Sequence, residues 1–318
     1  MLIVRKLGPL AAVLVLVTFF ATLLLRLVPG DPVITIGGFD ARNDPERAAA
    51  IEAEIGLDRN VFGQYAKWVG NAVSGDLGRS FQDGQKVTTK IADKLPVSLM
   101  LLVYAQMLAL LIAVPLGVAM AYRLDSWIDR YGSLALFGLL AMPAYIVGIL
   151  LKIIFVEWLD VLQPLSLRTP SLLDAPGAHI ESMILPAFTL ALGLVPIYAR
   201  VLRTDLIATL KEDFIDVARA KGLPPRRILF RHALRPSSFS LLTVAGLATG
   251  NLIGGAVVVE FLFAVDGFGQ LLVSALTRDD YVVLQAGIVV LAVGFVVVNF
   301  CIDLLYAAAD PRLRRHGA

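Results

Sequence analysis

Few side chains in this sequence have a type and spacing that could do covalent chemistry. The three histidines, His179, His232 and His316, are scattered, and the one cysteine, Cys301, sits in an apolar run. They form neither a metal site, nor a triad, nor an internal disulfide. HExxH, GxSxG and the phosphate-cradling G-x-x-x-x-G-K-[ST] loop are absent. Catalytic residues and metal ligands are therefore expected to be none, and the chain is not a P-loop ATPase. Arg26, Lys152, Glu157, Glu260 and Asp303 border apolar runs. Intramembrane charge is functional by default, but each of these lies toward the end of a run, where snorkelling accounts for it.

The stretch 205–236, DLIATLKEDFIDVARAKGLPPRRILFRHALRP, has a chemistry of recognition instead. Its spacing predicts a helix over 213–221 with Phe214, Val217, Ala218 and Lys221 on one face. Gly222 suits a left-handed position at its C-terminus. Pro224 and Pro225 suit the first turn of a second helix over 226–234. Two short helices hinged at Gly222, with an apolar stripe and basic flanks, fit a groove on a partner. The plainer reading is a basic loop that only sets membrane topology.

The elements that must position this loop are membrane spans. The chain has 318 residues, 58% hydrophobic and 17% charged, with a mean hydropathy of +0.77. Soluble domains carry about 25% charge, so a soluble globule is excluded, and a net charge of +2 gives no nucleic-acid footprint. Six apolar runs are long enough to span: 8–28, 97–121, 131–151, 182–199, 236–259 and 281–302. With the N-terminus inside, inner segments hold 16 Lys and Arg and the longer outer segments eleven. Both termini are therefore expected in the cytoplasm.

Residues 30–95 carry ten acids and eight bases. Asp44 is a predicted helix cap, Pro45 a first helical residue and Gly56 a stop. Further short helices are expected over 64–73 and 86–95, giving a small helical segment on the outer face. Met142-Pro143-Ala144-Tyr145 should kink the third span. Gly246, Gly250 and Gly254 recur every four residues in the fifth, which suits close helix packing or a moving gate. Met142, Pro143, Tyr145, Gly250 and Gly254 are thus candidates for the pathway or its gate.

Val217-Ala218-Arg219-Ala220-Lys221-Gly222-Leu223, followed by 226–234, resembles the coupling loop, or EAA loop, of ABC importer permeases. More narrowly the chain is similar to the dipeptide/oligopeptide/nickel permease family. Leu27-Val28-Pro29-Gly30-Asp31-Pro32, Gly75-Asp76-Leu77-Gly78-Arg79-Ser80, Asp266-Gly267-Phe268-Gly269-Gln270-Leu271-Leu272 and Asp310-Pro311-Arg312 agree with it. Asp216 and Val217 depart from the general pattern's Glu and Ala, and His232 from its isoleucine.

The resemblance implies an all-α type I ABC importer permease with six transmembrane helices. It divides the chain into a tail and first span (1–29), an extracytoplasmic helical segment (30–96) and a core of five spans (97–318) that includes the coupling loop 204–235. It implies a non-catalytic B-type subunit in the cytoplasmic membrane of a prokaryote. Its partners would be a C-type permease, two cytoplasmic ATPases that hydrolyse ATP with Mg, an extracytoplasmic binding protein and membrane lipid. The coupling residues would be Asp216, Ala218, Arg219, Lys221, Gly222 and Arg226. The cargo would be a peptide, with nickel, haem or another peptide-like solute left open. An ion-coupled carrier is disfavoured because five of the six runs lack charge. An intramembrane enzyme lacks the buried acid pair or nucleophile it would need.

Overall fold

The computed structural model describes the backbone of residues 2–27, 32–162, 170 and 172–309. Val28 to Asp31, Arg168, His316 and the Asp310-Pro311-Arg312 motif lie outside the described residues. Helices run in the order α1 (Leu2–Leu27), α2 (Pro32–Asn43), α3 (Pro45–Ile55), α4 (Val61–Val73), α5 (Val87–Tyr122), α6 (Trp127–Ala141) and α7 (Ala144–Lys152). A π-helical turn (Ile153–Trp158) prolongs α7. There follow α8 (Pro176–Thr209), α9 (Asp213–Ala220), α10 (Pro225–Arg227), a second π turn (Ile228–Ala233), α11 (Leu234–Leu262), α12 (Phe268–Thr277) and α13 (Tyr281–Ala309). Among the described residues the only β pairing is one isolated bridge, Arg79 to Lys86.

Among the described residues, each of the six apolar runs falls largely on helix. Val87–Tyr122, Pro176–Thr209, Pro225–Leu262 and Tyr281–Ile302 are each long and apolar enough to cross a membrane. The third run is a broken pair, α6 and α7 with its π extension, bent by 101°; it makes a fifth span if the pair counts as one. The first run lies on the 26-residue α1, with its described apolar part at Gly8–Leu23.

Several boundaries differ from the sequence-based expectation. The kink at Met142-Pro143 is a full break. Proline disfavours the α region for the residue before it, and Met142 is extended at φ −96°, ψ 128°. The short helix expected over 86–95 is the first part of the 36-residue α5. Pro96 reads as punctuation but is carried inside the helix, as prolines in spanning helices often are. The second loop helix is likewise continuous with a span, forming the 38-residue rod Pro225–Leu262. The π turn sits just before Pro236, whose ring would crowd the carbonyl of His232 in a regular α-helix, and a widened turn relieves that clash. The helices α2 and α12 were not foreseen: their sequences read as motifs and turns.

The chain forms two compact units. The first comprises Met1–Val97, Gly267–Phe300 and Ala309–Ala318, and the second Ser98–Asp266 and Cys301–Ala308.

In the first unit, the carboxylate of Asp44 accepts hydrogen bonds from the backbone N–H groups of Glu46 and Arg47, and Gly56 ends α3 in the left-handed region. Cap, proline and stop are as the sequence predicts. Val87 and Ile91 on α5 share a buried core with Phe268, Leu272 and Ala275 on α12 and Val283 and Ala286 on α13. Phe19 on α1 stacks on Phe62 and meets Tyr65 edge-on, both on α4. Arg26 does not snorkel freely. Its Nε donates to Gln64 at 2.8 Å and its guanidinium also reaches the Arg59 carbonyl, which holds the end of α1 on α4.

In the second unit, α8 packs against α6, α7 and α11. Tyr198 is fully buried and donates to Gln106 on α5 at 3.0 Å. A side chain at Gly148 on α7 would meet Leu262 at 2.8 Å and Thr189 at 3.0 Å, so glycine permits that contact. Glu260 is fully buried, so it does not snorkel from a span end as its sequence position implied. His179 is in the first turn of α8. Its Nδ1 lies 2.8 Å from the Pro170 carbonyl and its Nε2 3.2 Å from the Tyr104 hydroxyl.

Candidate functional site

The stretch singled out for recognition is built on the end of α8 and the start of the α10–α11 rod. After Thr209 the chain turns through Leu210, Lys211 and Glu212 into α9. Asp213 and Asp216 occupy the first turn of α9 and Arg219 the last, charges that suit the two ends of the helix dipole. Arg219 also pairs with Asp216 at 2.9 Å, an exposed i,i+3 contact worth under about 1 kcal/mol.

The helix ends in a two-bond C-terminal cap. The N–H of Gly222 donates to the Arg219 carbonyl at 2.9 Å, and that of Leu223 to the Ala218 carbonyl at 3.3 Å. This pattern needs a left-handed residue at the first position past the cap, and Gly222 has φ +73°. No atom lies within 4 Å of where its Cβ would be. The demand for glycine at this position is thus one of backbone conformation, not space. Pro224 is extended and Pro225 opens α10, so the chain reverses and enters the long rod.

One face of the loop is internal. Ile215 and Ala218 of α9 are buried, as are Ile228, Leu229 and Ala233 of the π turn, on which α9 packs. The hydroxyls of Thr209 and Ser237 lie 3.0 Å apart and tie the end of α8 to the start of α11. The opposite face is open: Phe214, Val217 and Phe230 are 47, 53 and 58% exposed. Around them stand the exposed Asp216, Arg219, Lys221 and Arg226. Ala218, expected on the same face as Phe214 and Val217, is turned inward instead and supports the loop from below.

Covering an exposed Val or Phe is worth about 1.5–3 kcal/mol. The Phe214, Val217 and Phe230 face can therefore contribute binding energy to a partner, and the charges around it can set register.

The gate candidates fall on two parts of the second unit, the α6–α7 break and α11. Met142 and Pro143 form the break between α6 and α7, and Tyr145 lies in the first turn of α7, all exposed. Gly250 is buried on α11, while the Cβ position of Gly254 is open. Close packing in this stripe is at Gly246, whose Cβ would meet Ile302 at 2.9 Å. Among the described residues no three His, Cys, Asp or Glu side chains form a group that could hold a metal.

Three interactions escaped the sequence reading. Arg203 on α8 grips Asp129 on α6 with hydrogen bonds of 2.6 and 2.7 Å. Ser80 donates to Asp280 at 2.5 Å, and Lys90 reaches both Ser80 at 3.0 Å and Asp83 at 2.7 Å. Gln285 on α13 donates to Thr22 on α1 at 3.0 Å. The available signal was the presence of uncharged polar residues, such as Gln106, Thr22 and Gln285, inside the apolar runs. Such residues bond across helices where water is excluded.

Lastly, a concavity of about 70 Å³ in the first unit is lined by apolar residues including Ile55, Trp68 and Val282 together with Lys67, Arg79 and Gln285.

The fold resembles that of a solved transporter. The structure described as inward-facing conformations of the MetNI methionine ABC transporter superposes with a TM-score of 0.56 at 16% identity, covering 70% of this chain and 96% of that one. The fold is therefore that of a type I ABC importer permease. In sequence, a protein of Brucella abortus (strain 2308), named provisionally as a peptide transport system permease, is 38% identical over 98% of both chains. The di/tripeptide transport system permease of Pseudomonas aeruginosa (strain UCBPP-PA14) is 34% identical, and the dipeptide transport system permease of Escherichia coli (strain K12) 33%, again over 98% of each chain. Residues 1–102 match the N-terminal part, and residues 113–315 the main part, of the binding-protein-dependent transport system inner membrane component. A bundle of apolar helices, a capped loop with an open apolar face and these full-length similarities have one reading: the chain belongs to the family of binding-protein-dependent transport system inner membrane components, as a multi-pass permease of an ABC importer.

Proposed function

We propose that this chain is the B-type permease of a peptide importer, paired with a C-type permease. In this reading two cytoplasmic ATPases drive the pair, and an extracytoplasmic binding protein delivers a dipeptide or oligopeptide. Both termini and the 204–235 loop then face the cytoplasm. The names of the full-length relatives support the peptide cargo. The chain itself does not hydrolyse ATP; it receives the work of hydrolysis through the loop.

The carrying observation is the two-faced α9. Ile215 and Ala218 anchor it to the permease, while Phe214 and Val217 stand open, as does Phe230 on the π turn against which α9 packs. Phe214 and Val217 enter the ATPase groove in this reading. Asp216, Arg219, Lys221 and Arg226 set the register at its rim, and Gly222 aims α9 relative to the α10–α11 rod. A helix held rigidly from behind transmits a push, whereas a flexible basic loop does not.

The test is Phe214→Ser with Val217→Ser in the full complex. Insertion should be unchanged, because no spanning residue is altered. ATPase subunits should co-purify poorly, and peptide uptake should fall in proportion. Full ATPase association and uptake in the double variant would show that this face does not dock the ATPase.

A further inference from the structure

A cavity of about 220 Å³ lies between α5, α6 and α8, lined by residues including Met120, Ser133, Phe137, Arg200, Arg203 and Thr204. Neither the docking reading nor the gate candidates use it. Its charge is one-sided. Two of Arg203's five N–H donors are committed to Asp129. The guanidinium of Arg200 lies 4.2 Å from the centre of the Phe137 ring. Its Nη2 is buried, and among the described residues no hydrogen-bond acceptor reaches it.

An unsatisfied guanidinium nitrogen out of water is costly, and the face of a phenyl ring offsets only part of that cost. Ser133 and Thr204 line the same space, so the cavity offers donors of two kinds, guanidinium and hydroxyl. Such a set fits an oxyanion, and forked guanidinium donors match phosphate geometry.

The surroundings indicate where the oxyanion comes from. Tyr122, Trp127 and Tyr131, at the turn between α5 and α6, are 53, 70 and 63% exposed. Exposed Tyr and Trp beside an apolar helix mark a membrane–water boundary. Leu134, one turn along α6 from Tyr131, is exposed as well, an apolar side chain that an acyl chain can cover. Basic pockets between spanning helices accept lipid headgroups. We propose that this cavity holds the phosphate of an anionic phospholipid from the leaflet that adjoins the 204–235 loop, with Arg200 as its principal ligand.

The test is lipid retention by the purified complex in native mass spectrometry, titrated with dioleoyl phosphatidylglycerol and, separately, with dioleoyl phosphatidylcholine. The parent complex should retain the anionic lipid in preference. Arg200→Gln should weaken that retention about fivefold, the scale of one basic residue at an anionic surface, and Arg200→Lys should restore part of it. Ser133→Asp places a negative charge in the cavity with Arg200 intact and should also lose the lipid, so the result does not hang on one variant's assembly. Arg235→Gln, on an exposed residue, should change nothing. Equal retention by the parent, Arg200→Gln and Ser133→Asp would overturn the site. Displacement of phosphatidylglycerol by millimolar inorganic phosphate would overturn the lipid assignment in favour of a free anion.

Discussion

Asp129 and Arg203, 74 residues apart, join the first turn of α6 to α8 by a bidentate ion pair whose carboxylate is almost wholly out of water. Both residues also border the short connections that leave the spans, so this bond sets how the end of α8 meets the α5–α6 turn. Asp129 also accepts the backbone N–H of Asp125 at 3.2 Å, which fixes that turn.

Removing one partner strands the other charge. Asp129→Ala should destabilise the second unit by about 2–4 kcal/mol, below the top of the range for a broken buried pair because Arg203 keeps some solvent contact. The unfolding midpoint of the complex in detergent should fall accordingly. The double variant Asp129→Leu with Arg203→Met should recover much of the loss, and no recovery would show that the charges do more than satisfy each other.

Gly222 separates backbone conformation from side-chain chemistry. Gly222→Val places a β-branched residue in the left-handed region, at a cost of about 1–2 kcal/mol, and should uncouple uptake from the loaded binding protein. Gly222→Asn tolerates that region better and should keep most of the uptake. Parallel uptake assays on the two variants check this; equal losses would mean that the side chain at 222, rather than the turn, is what the partner senses.

The chain around the Arg79–Lys86 bridge forms a hairpin on which Ser80, Asp83, Lys90 and Asp280 converge. Ser80→Ala together with Asp280→Asn should raise protease cleavage around Gly84 severalfold in intact cells or vesicles, while α3 and α4 stay protected. Unchanged cleavage would mean that the buried apolar core of α5, α12 and α13 holds the hairpin by itself.

The same hairpin should respond to acid. Burial alone would raise the carboxyl of Asp83, but hydrogen bonds from Lys90 and the Gln85 N–H outweigh it and hold the pKa below the ordinary 3.8. A folded pKa below the unfolded one contributes stability above 3.8 that is lost as pH falls through the depressed value. Hydrogen exchange around residue 84 should therefore accelerate on acidification. Asp83→Asn should start faster and lose most of that acid step; an undiminished step would place the titrating group elsewhere.

Orientation is tested with a cysteine at Gly84 and another at Lys211, each after Cys301→Ser. Gly84→Cys should react with a membrane-impermeant thiol reagent in intact cells and Lys211→Cys only after lysis. The reverse pattern would invert the topology.

Local chemistry made much of this protein legible without coordinates. Six apolar runs became helices because an isolated backbone in lipid has to satisfy its own hydrogen bonds. Asp44, Pro45 and Gly56 bounded α3, and Gly222 closed α9, because caps and left-handed turns depend on residues within a few positions of each other. Prolines were less readable. Pro143 broke α6 from α7, whereas Pro96 passed inside α5 and Pro236 was absorbed next to a π turn, since neighbouring helices decide whether freed backbone groups are satisfied. Long-range pairings were not readable at all. Ser80 with Asp280, Gln285 with Thr22, and Asp129 with Arg203 join positions 200, 263 and 74 residues apart. Likewise, the 3.6-residue period put Ala218 with Phe214 and Val217, but packing on the π turn chose Ile215 and Ala218 for the inside. Periodicity places residues around a helix; only the surface it lands on decides which face is covered.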